Sequence, residues 1–485
     1  MSSVATGAPG AAAAPSDTGI VPQPPGYRKY AMGLLLAIYM VNFLDRQVVN
    51  ILAEPIKNDL KLTDTQIGLM GGLAFAIFYT FLGVPIARMA ERKNRPMIIG
   101  TAVAIWSGMT ALCGIAQNFV QLILFRIGVG VGEAGCTPPA HSLITDYVPK
   151  EKRASALAFY SMGTPLGGLL GLIMGGLIAD AYGWRAAFFV AGVPGIIFAA
   201  LAFFTLKEPR KQLSEEFKRT QAAQPSFGAT MKVLSTKPTF WFISFAAAIK
   251  AFIGYGHAPF TASFFLRNHT EEVANLASYF GAVLGFNLQS LGFLSLALGL
   301  MSGTAGAAGS LLGGWLADKY GAKDLRAYMV APAIASLLTI PIYITAVTVD
   351  SAALALCILV FNGLLGTIWY GPVYGTAQSI VPPQMRATTA AILLFIINLI
   401  GLGLGPVAVG ALSDAIASFR LNEVGLSVDA CRTMGEGAAA ATRAACAEHV
   451  GEGVRWALIT STLFGVIAFA FFWIARRTIR EDNVG

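Results

Sequence analysis

Long apolar runs dominate this sequence and recur twelve times along its 485 residues. A helix needs about 20 apolar residues to cross the hydrocarbon core of a bilayer, and each run is about that long. Only 12% of the residues are charged, against about 25% in an ordinary soluble domain. We therefore predict an all-α membrane protein with twelve transmembrane helices, near residues 30–53, 66–88, 97–116, 119–142, 155–179, 185–205, 239–265, 290–314, 327–347, 352–376, 387–412 and 455–475.

Lysine and arginine concentrate in alternate gaps between these runs, a bias typical of cytoplasmic loops. The pattern predicts that both chain termini are cytoplasmic, and it accounts for the net charge of +8 without nucleic acid. Residues 1–29 are rich in Ala, Gly, Pro and Ser and lack the apolar stretch of a signal peptide. We interpret them as a disordered cytosolic tail, and residues 477–485 as a second, shorter tail.

The two halves of the chain repeat one another. The polar segment 87–95 after the second run resembles 314–323 after the eighth, and 148–154 resembles 381–387. Asp180 and Asp414 then follow at matching distances, as a third correspondence in register. We infer a duplicated six-span unit.

This duplication divides the chain into two pseudo-symmetric six-helix bundles, residues 30–206 and 238–476. Residues 207–237 join them as a cytosolic linker, in which Leu213 and Phe217 with their charged neighbours suggest a short amphipathic helix on the membrane surface.

Four ionisable side chains lie deep inside two of the runs, Asp45 and Arg46 in the first and Arg126 and Glu133 in the fourth. A charge at the centre of a membrane helix costs about 2.5–3.5 kcal/mol, so such residues usually face partners or a water-filled path. At about 1.5 Å per residue, Asp45 and Arg126 lie at the same depth, and Glu133 lies about two turns deeper on the face of Arg126. Neighbouring residues point about 100° apart, so Asp45 and Arg46 cannot share one partner.

We expect Asp45 to pair with Arg126 in one state of a gate, while Arg46 interacts with Glu133 or with an anionic head group. Protonating a carboxylate removes its attraction for the arginine, so proton occupancy would bias which face of the molecule is open. The alternative is a static cluster of ion pairs that only holds the fold together.

Three motifs carry a resemblance to a known family. The acidic and basic loops after runs two and eight, Arg126 with the glycine-rich run that follows it, and Gly183-Trp-Arg-Ala-Ala-Phe188 are similar to signatures of the major facilitator superfamily. Within it, Asn42-Phe-Leu-Asp-Arg46 together with the segment from Arg126 to Ala134 resembles the spinster family, including its bacterial members.

This resemblance covers about residues 30–476, and it implies two bundles that rock around a central site. It also implies proton-coupled transport of amphiphiles such as lysophospholipids or sphingosine phosphate, and an inner-membrane location in a bacterium. The family roles carry over to Asp45 and Glu133 as protonatable acids, with Arg46 and Arg126 as their partners. One departure is Glu91, where the superfamily loop more often has Asp.

Further polar residues within the second half are candidates for a substrate site. Lys250 lies deep in the seventh run, and His257 follows seven residues later on the same helical face. We expect them to form a wall of the cavity with Tyr255, Asn362, Trp369, Tyr370 and Asn398. In the alternative, Lys250 snorkels or binds a carbonyl and His257 is a packing residue.

Five charged residues suggest a structural role on the cytoplasmic side. A latch between helices on the cytoplasmic side is expected to consist of Glu91, Arg92, Arg95, Asp318 and Lys319. The alternative is that they are solvated loop charges.

Cys431 and Cys446 share the polar insertion before the last run. They can form a disulfide if that insertion is extracytoplasmic.

The sequence gives little support to other classes of protein. It contains no HExxH, GxSxG or GxxxxGK[ST] pattern and only four histidines, so we predict neither an enzyme nor an ATP-driven pump, and no metal or cofactor beyond the coupling proton. The expected partners are membrane lipids and an amphiphilic substrate, and the expected state is a monomer. The rival carrier is a proton-coupled symporter of small organic anions such as aromatic or sugar acids.

Overall fold

The computed structural model describes residues 23–149, 152–212, 226–434 and 439–484. Within these ranges the chain is built from helices. The tail predicted for residues 1–29 falls mostly outside the described residues, and so does the segment with Leu213 and Phe217. The first helix begins at Pro25, five residues before the predicted span, with a proline suited to a helix start.

The described residues of the first bundle form nine α-helices. They are α1 (Pro25–Ile51), α2 (Ala53–Leu60), α3 (Asp64–Gly71), α4 (Leu73–Arg92), α5 (Arg95–Cys113), α6 (Phe119–Glu133), α7 (Thr137–Tyr147), α8 (Arg153–Ser161) and α9 (Gly163–Thr205). Side chains cap several of them. At α3, for example, Thr63 and Gln66 form a reciprocal capping box.

The second bundle follows a short linker helix, α10 (Phe227–Ser235). Its helices are α11 (Pro238–Asn268), α12 (Thr270–Leu284), α13 (Ser290–Gly321), α14 (Ala327–Thr348), α15 (Ala352–Gly366), α16 (Tyr370–Ser379), α17 (Arg386–Ile397), α18 (Gly405–Glu423), α19 (Val428–Thr433), α20 (Ala440–Thr462) and α21 (Gly465–Asp482). A π-helical segment, Asn398–Leu404, joins α17 to α18.

Eleven continuous helical stretches among the described residues are long and apolar enough to cross a membrane. The longest, Ser155–Thr205, has 51 residues and bends at Gly183, whose φ of 83° only glycine adopts readily. Divided at this bend it supplies the fifth and sixth spans, and the eleven stretches then correspond to the twelve predicted spans.

The first and last parts of the described chain lie at one end of the molecule, which we call the terminal end. There the Tyr27 hydroxyl donates to the Thr205 carbonyl in the first bundle, and the Thr239 N–H donates to Asp482 in the second. The opposite end, which we call the far end, carries α2, α12 and α19.

Small residues bring the two bundles into close contact along two seams. In one seam Gly68 of α3 lies against the backbone of Pro406 in α18, and in the other Gly176 of α9 lies against Ser295 of α13. Any larger side chain at these two glycines would overlap its neighbour, which is the packing expected of membrane helices that approach closely.

Candidate functional site

An ion pair joins the first and fourth spans in the middle of the first bundle. Arg46 Nε of α1 donates to Glu133 Oε2 of α6 at 2.7 Å. The Glu133 side chain is fully buried and the Arg46 side chain is 13% exposed. The structure thus brings together two of the residues that the sequence singles out.

Aromatic rings surround the Arg46 guanidinium. Its central carbon lies 4.5 Å from the ring centre of Tyr79, 4.9 Å from Phe75 and 5.1 Å from Phe43. Such rings attract a cation electrostatically. The positive charge of Arg46 is therefore held among apolar, aromatic side chains.

Asp45 does not share the partner of Arg46, because adjacent residues of a helix point about 100° apart. The Thr110 hydroxyl of α5 donates to Asp45 Oδ2 at 3.1 Å, and Asp45 itself is completely buried. Thr110 has no place in the sequence-based prediction, because a lone threonine in an apolar run gives no signal until its helix neighbour is known.

The centre of this cluster contains buried polar atoms that have no hydrogen-bond partner among the described residues. They are both amide atoms of Asn42, Asp45 Oδ1, Arg126 Nε and Nη1, and Glu133 Oε1. Most buried polar groups in proteins are paired, because an unpaired one costs about 1–3 kcal/mol. The two acids can accept a proton, and the Arg126 guanidinium can donate hydrogen bonds to water or to an anionic ligand group.

The second bundle contributes Tyr255 to the same region. Tyr255 of α11 packs against the apolar cores of both bundles. Trp369 and Tyr370 stack on each other at 4.1 Å, with Trp369 buried in the second bundle's core. Asn362 and Asn398 are half-buried.

Lys250 and His257 lie inside the second bundle, where each contacts helices of that bundle. Lys250 Nζ donates to Thr339 Oγ1 of α14 at 3.4 Å, and His257 Nε2 is 2.9 Å from Ser461 Oγ of α20. The His257 ring also packs on Tyr343. These contacts separate the pair from Tyr255, which reaches the first bundle, and they correspond to the packing alternative considered for His257.

An ion cluster connects the two bundles at the far end. Arg267 of α11 donates to both Glu54 oxygens of α2, at distances from 2.6 to 3.0 Å, and to both Asp64 oxygens of α3 at 2.8 Å. Lys57 also contacts Asp64 at 2.6 Å. We call Glu54, Lys57, Asp64 and Arg267 the far-end ion cluster.

Glu54 lies in a helix outside the candidate spans, and its charge is favoured in this cluster. Burial alone would raise the pKa of the Glu54 carboxyl, but the charge and hydrogen bonds of Arg267 outweigh burial and hold the pKa below its ordinary value of 4.5. The cluster is therefore ionised at neutral pH and attracts the two bundles to each other.

Two aspartates cap helices across the seams, one in each direction. Asp414 of α18 accepts hydrogen bonds from the Asp64 and Thr65 N–H groups, at the start of α3, at 3.0 and 2.7 Å. Asp180 of α9 accepts from the Gln289 and Gly292 N–H groups, at the start of α13, at 3.2 and 2.6 Å. A carboxylate at a helix start is stabilised by the free N–H groups and the helix dipole.

These capping aspartates are the residues that the sequence repeat aligns. The repeat therefore marks them, but it gives no sign that each reaches the opposite bundle. Arg267 gives a weaker signal still, because a basic residue at the end of an apolar run resembles any loop charge.

The residues predicted as a latch fall into separate places. Arg95 contacts Asp146 of α7 at 2.6 Å and also Glu208, all within the first half of the chain. Asp318 and Lys319 are exposed, and Lys319 lies over the Trp315 ring. The side chains of Glu91 and Arg92 are outside the described part of the chain.

The Cys431 and Cys446 sulfurs are bonded, with their Cα atoms 5.6 Å apart. The bond links α19 to α20 beside the far end. A disulfide of this kind is typical of a non-reducing compartment.

Comparison with known proteins gives a consistent result. The sequence profile of the Major Facilitator Superfamily matches residues 35–406. A crystal structure of a bacterial homolog to the human lysosomal transporter Spinster, in an inward-facing and unoccupied conformation, superposes with a TM-score of 0.84 at 34% identity, covering 96% of this chain and all of that one.

Curated relatives include an MFS-type efflux pump of Mycolicibacterium smegmatis, 31% identical over 80% of this chain and 84% of its own length. Protein spinster homolog 1 of Xenopus tropicalis is 26% identical over 79% of this chain and 72% of its own. A hexuronate transporter of Bacillus subtilis is 24% identical over 81% and 90%. This chain is not an enzyme but an integral membrane transporter that belongs to the Major Facilitator Superfamily and is related to its spinster proteins.

Proposed function

We propose that this transporter exchanges or co-transports protons with an anionic, amphiphilic substrate of the lysophospholipid or sphingoid phosphate type. One observation carries the proposal. Asp45, Arg126 and Glu133 are buried together with bonding capacity that no described residue uses. A proton on either acid, or an anionic head group on Arg126, would use it.

The surroundings of Arg46 favour an amphiphile. The guanidinium offers one charge to a head group, while Phe43, Phe75 and Tyr79 offer apolar surface beside it. A substrate with a single charged end and a hydrocarbon tail fits a site that has both features. The similarity to spinster proteins supports the same reading.

We further propose a rocking mechanism of alternating access. The far end is held closed by the far-end ion cluster and by the two capping aspartates, so the open face of this state is the terminal end. With both termini in the cytoplasm, this state is inward-facing, like the spinster homolog that it resembles. Protonation of Glu133 would weaken its hold on Arg46, and an ionised Asp45 would pair with Arg126 in the other state, so proton occupancy would bias which face is open. We place the carrier in a bacterial inner membrane as a monomer.

A small organic anion is the second candidate substrate. The hexuronate transporter among the relatives, and a probable L-galactonate transporter of Escherichia coli at 25% identity, favour it. Such a substrate would need several cations around its carboxylate and hydroxyl groups, whereas Lys250 contacts Thr339 within the second bundle and so does not add a cation beside Arg46 and Arg126.

Transport into proteoliposomes tests the proposal. With an imposed pH step, we expect uptake of a labelled lysophospholipid that collapses when a protonophore removes the gradient. Asp45→Asn and Glu133→Gln should each lose proton-driven uptake by at least about tenfold, since a neutral amide cannot exchange a proton. Glu271→Gln, which changes an exposed acid at the far end, is the matched control and should transport normally.

The outcome can contradict either part of the proposal. If D45N and E133Q respond to the pH step as the parent does, these acids do not couple protons. If a labelled hexuronate is accumulated and lysophospholipid is not, the substrate class is wrong while proton coupling stands.

A further inference from the structure

The helix α12 carries an exposed apolar face that the transport cycle does not explain. It has 15 residues, a length of about 22 Å, and is too short to cross a hydrocarbon core of about 30 Å. This helix is not among the predicted transmembrane spans, because it lies in the gap between the seventh and eighth apolar runs. The position of α12 and the properties of its three faces indicate which layer of the membrane it contacts.

Both ends of α12 are fixed to spanning helices at the far end. Near its start, Glu272 accepts from the Ser351 hydroxyl at 2.8 Å and from the Ala352 N–H at 2.6 Å, where α15 begins. Near its end, Phe280 stacks on Phe293 in the first turn of α13, with ring centres 5.6 Å apart. A helix whose two ends are attached to the starts of two different spanning helices runs along the membrane plane.

The depth of α12 follows from the helix before it. Residues of α11 extend from the terminal end, at Pro238, to Asn268, a distance of about 46 Å. This exceeds the thickness of the hydrocarbon core, so the chain leaves the core before α12 begins at Thr270. Thr270 therefore lies at or beyond the boundary of the hydrocarbon core.

The surface of α12 divides into three faces. Val273, Ala277 and Gly281 recur every four residues and are buried against the protein. Tyr279 and Val283 form a second face, which is 65% and 66% exposed.

The third face is polar or small and also exposed, with Glu271, Asn275 and Ser278 on it. At about 100° per residue, Ser278 points about 140° away from Val283. One exposed side is thus suited to hydrocarbon and the other to water.

We propose that α12 is an interfacial membrane helix, which inserts Tyr279 and Val283 into the lipid leaflet at the far end and keeps Ser278 in water. Amphipathic helices bind at this boundary because burial of their apolar face is favourable while their polar face stays hydrated. Transfer of each exposed apolar side chain from water into lipid is favourable because it removes apolar surface from water. The second bundle is thereby attached to one leaflet beside the seam that contains Asp180.

Spin-label accessibility in phospholipid nanodiscs tests this proposal without a transport assay. Val283→Cys and Ser278→Cys are made separately with Cys357→Ser, which removes the exposed natural thiol. Both positions are exposed, so the labels do not disturb packing. We expect the Val283 label to collide mainly with oxygen, which concentrates in lipid, and the Ser278 label mainly with a water-soluble nickel complex, with ratios that differ several-fold.

Equal accessibility of both labels to the nickel complex would overturn the proposal, since it would place the apolar face in water. Equal enrichment in oxygen would overturn it as well, because α12 would then be immersed in hydrocarbon and not lie at its boundary. Neither result depends on the identity of the transported substrate or on proton coupling.

Discussion

At the scale of single residues, the unpaired atoms around Asp45 distinguish this site from an ordinary core. Thr110 is the one described residue that donates a hydrogen bond to the Asp45 carboxylate. The remaining oxygen of Asp45 and two nitrogens of Arg126 have no partner among the residues that the structure covers. Thr110 therefore orients an acid that is otherwise free to bind a proton or water.

We expect Thr110→Val to destabilise the protein by about 1–3 kcal/mol, because the substitution keeps the shape of the side chain but leaves a buried carboxylate oxygen unpaired. Thr110→Ser keeps the hydroxyl and should cost much less. Thermal unfolding of the detergent-solubilised protein measures both. If the serine variant loses as much stability as the valine variant, the methyl group and its packing matter more than the hydrogen bond.

Residue positions were predictable where helix geometry alone decides them. The 100° step separated the directions of Asp45 and Arg46 and put Glu133 on the face of Arg126, whereas the rise per residue put Glu133 about two turns deeper and did not show that Arg46 reaches it. The same reasoning could not find Thr110 or Arg267, since their roles depend on which helices become neighbours. For Lys250, depth in the membrane was clear from the sequence, but the face of α11 that meets α14 was not.

At the scale of helices, the seams depend on positions without a side chain. A Cβ atom at Gly68 would overlap the Pro406 carbonyl oxygen, and backbone cannot move aside as a flexible side chain can. Gly71, three residues later in the same helix, has nothing within 4 Å of such an atom. The two glycines therefore separate the effect of the seam from that of helix propensity.

We expect Gly68→Ala to push α3 and α18 apart and to reduce the population of the state with the closed far end, while Gly71→Ala leaves it unchanged. Spin labels at Lys61→Cys and Asn422→Cys, both exposed at the far end, report the separation of the bundles when Cys357 is replaced by Ser. A longer distance component should arise in G68A alone. Identical distance distributions in both variants would show that the seam tolerates a methyl group.

The helices themselves were largely predictable, because the hydrocarbon thickness fixes how long an apolar run must be. The residues at which the helices begin and end were less predictable. The last span extends from Ala440 as far as Asp482, well beyond the predicted 455–475, since polar residues continue a helix outside the membrane. Neither α12 nor the π-helical segment at Asn398–Leu404 has a signal in hydropathy.

At the scale of the whole molecule, the far-end ion cluster holds the two bundles together in a way that does not change with pH near neutrality. A carboxyl whose pKa is lowered in the folded state contributes stability that is present above its ordinary pKa and is lost as pH falls through the lowered value. For Glu54, this places the loss below pH 4.5. Its pairing with Arg267 is consequently constant between pH 5 and pH 8.

We therefore expect Glu54→Gln to weaken closure of the far end by about 1.5–3 kcal/mol, the range for hydrogen bonds to charged groups, without moving the midpoint of the pH profile of transport. Initial rates measured from pH 5 to pH 8 test this, with the parent protein in parallel. A shifted midpoint would mean that Glu54 takes part in proton coupling, and would contradict an assignment of that role to Asp45 and Glu133 alone.

The duplication in the sequence was sufficient to predict two similar bundles, but not how they meet. Asp180 and Asp414 show the relation directly, since each belongs to one bundle and caps a helix of the other. These two equivalent contacts lie on opposite sides of the axis that relates the bundles, and each holds the bundles together on its own side. If only one of these contacts is released, the bundles stay joined at the other. A small molecule that masks a single aspartate should therefore slow the carrier without holding the far end open.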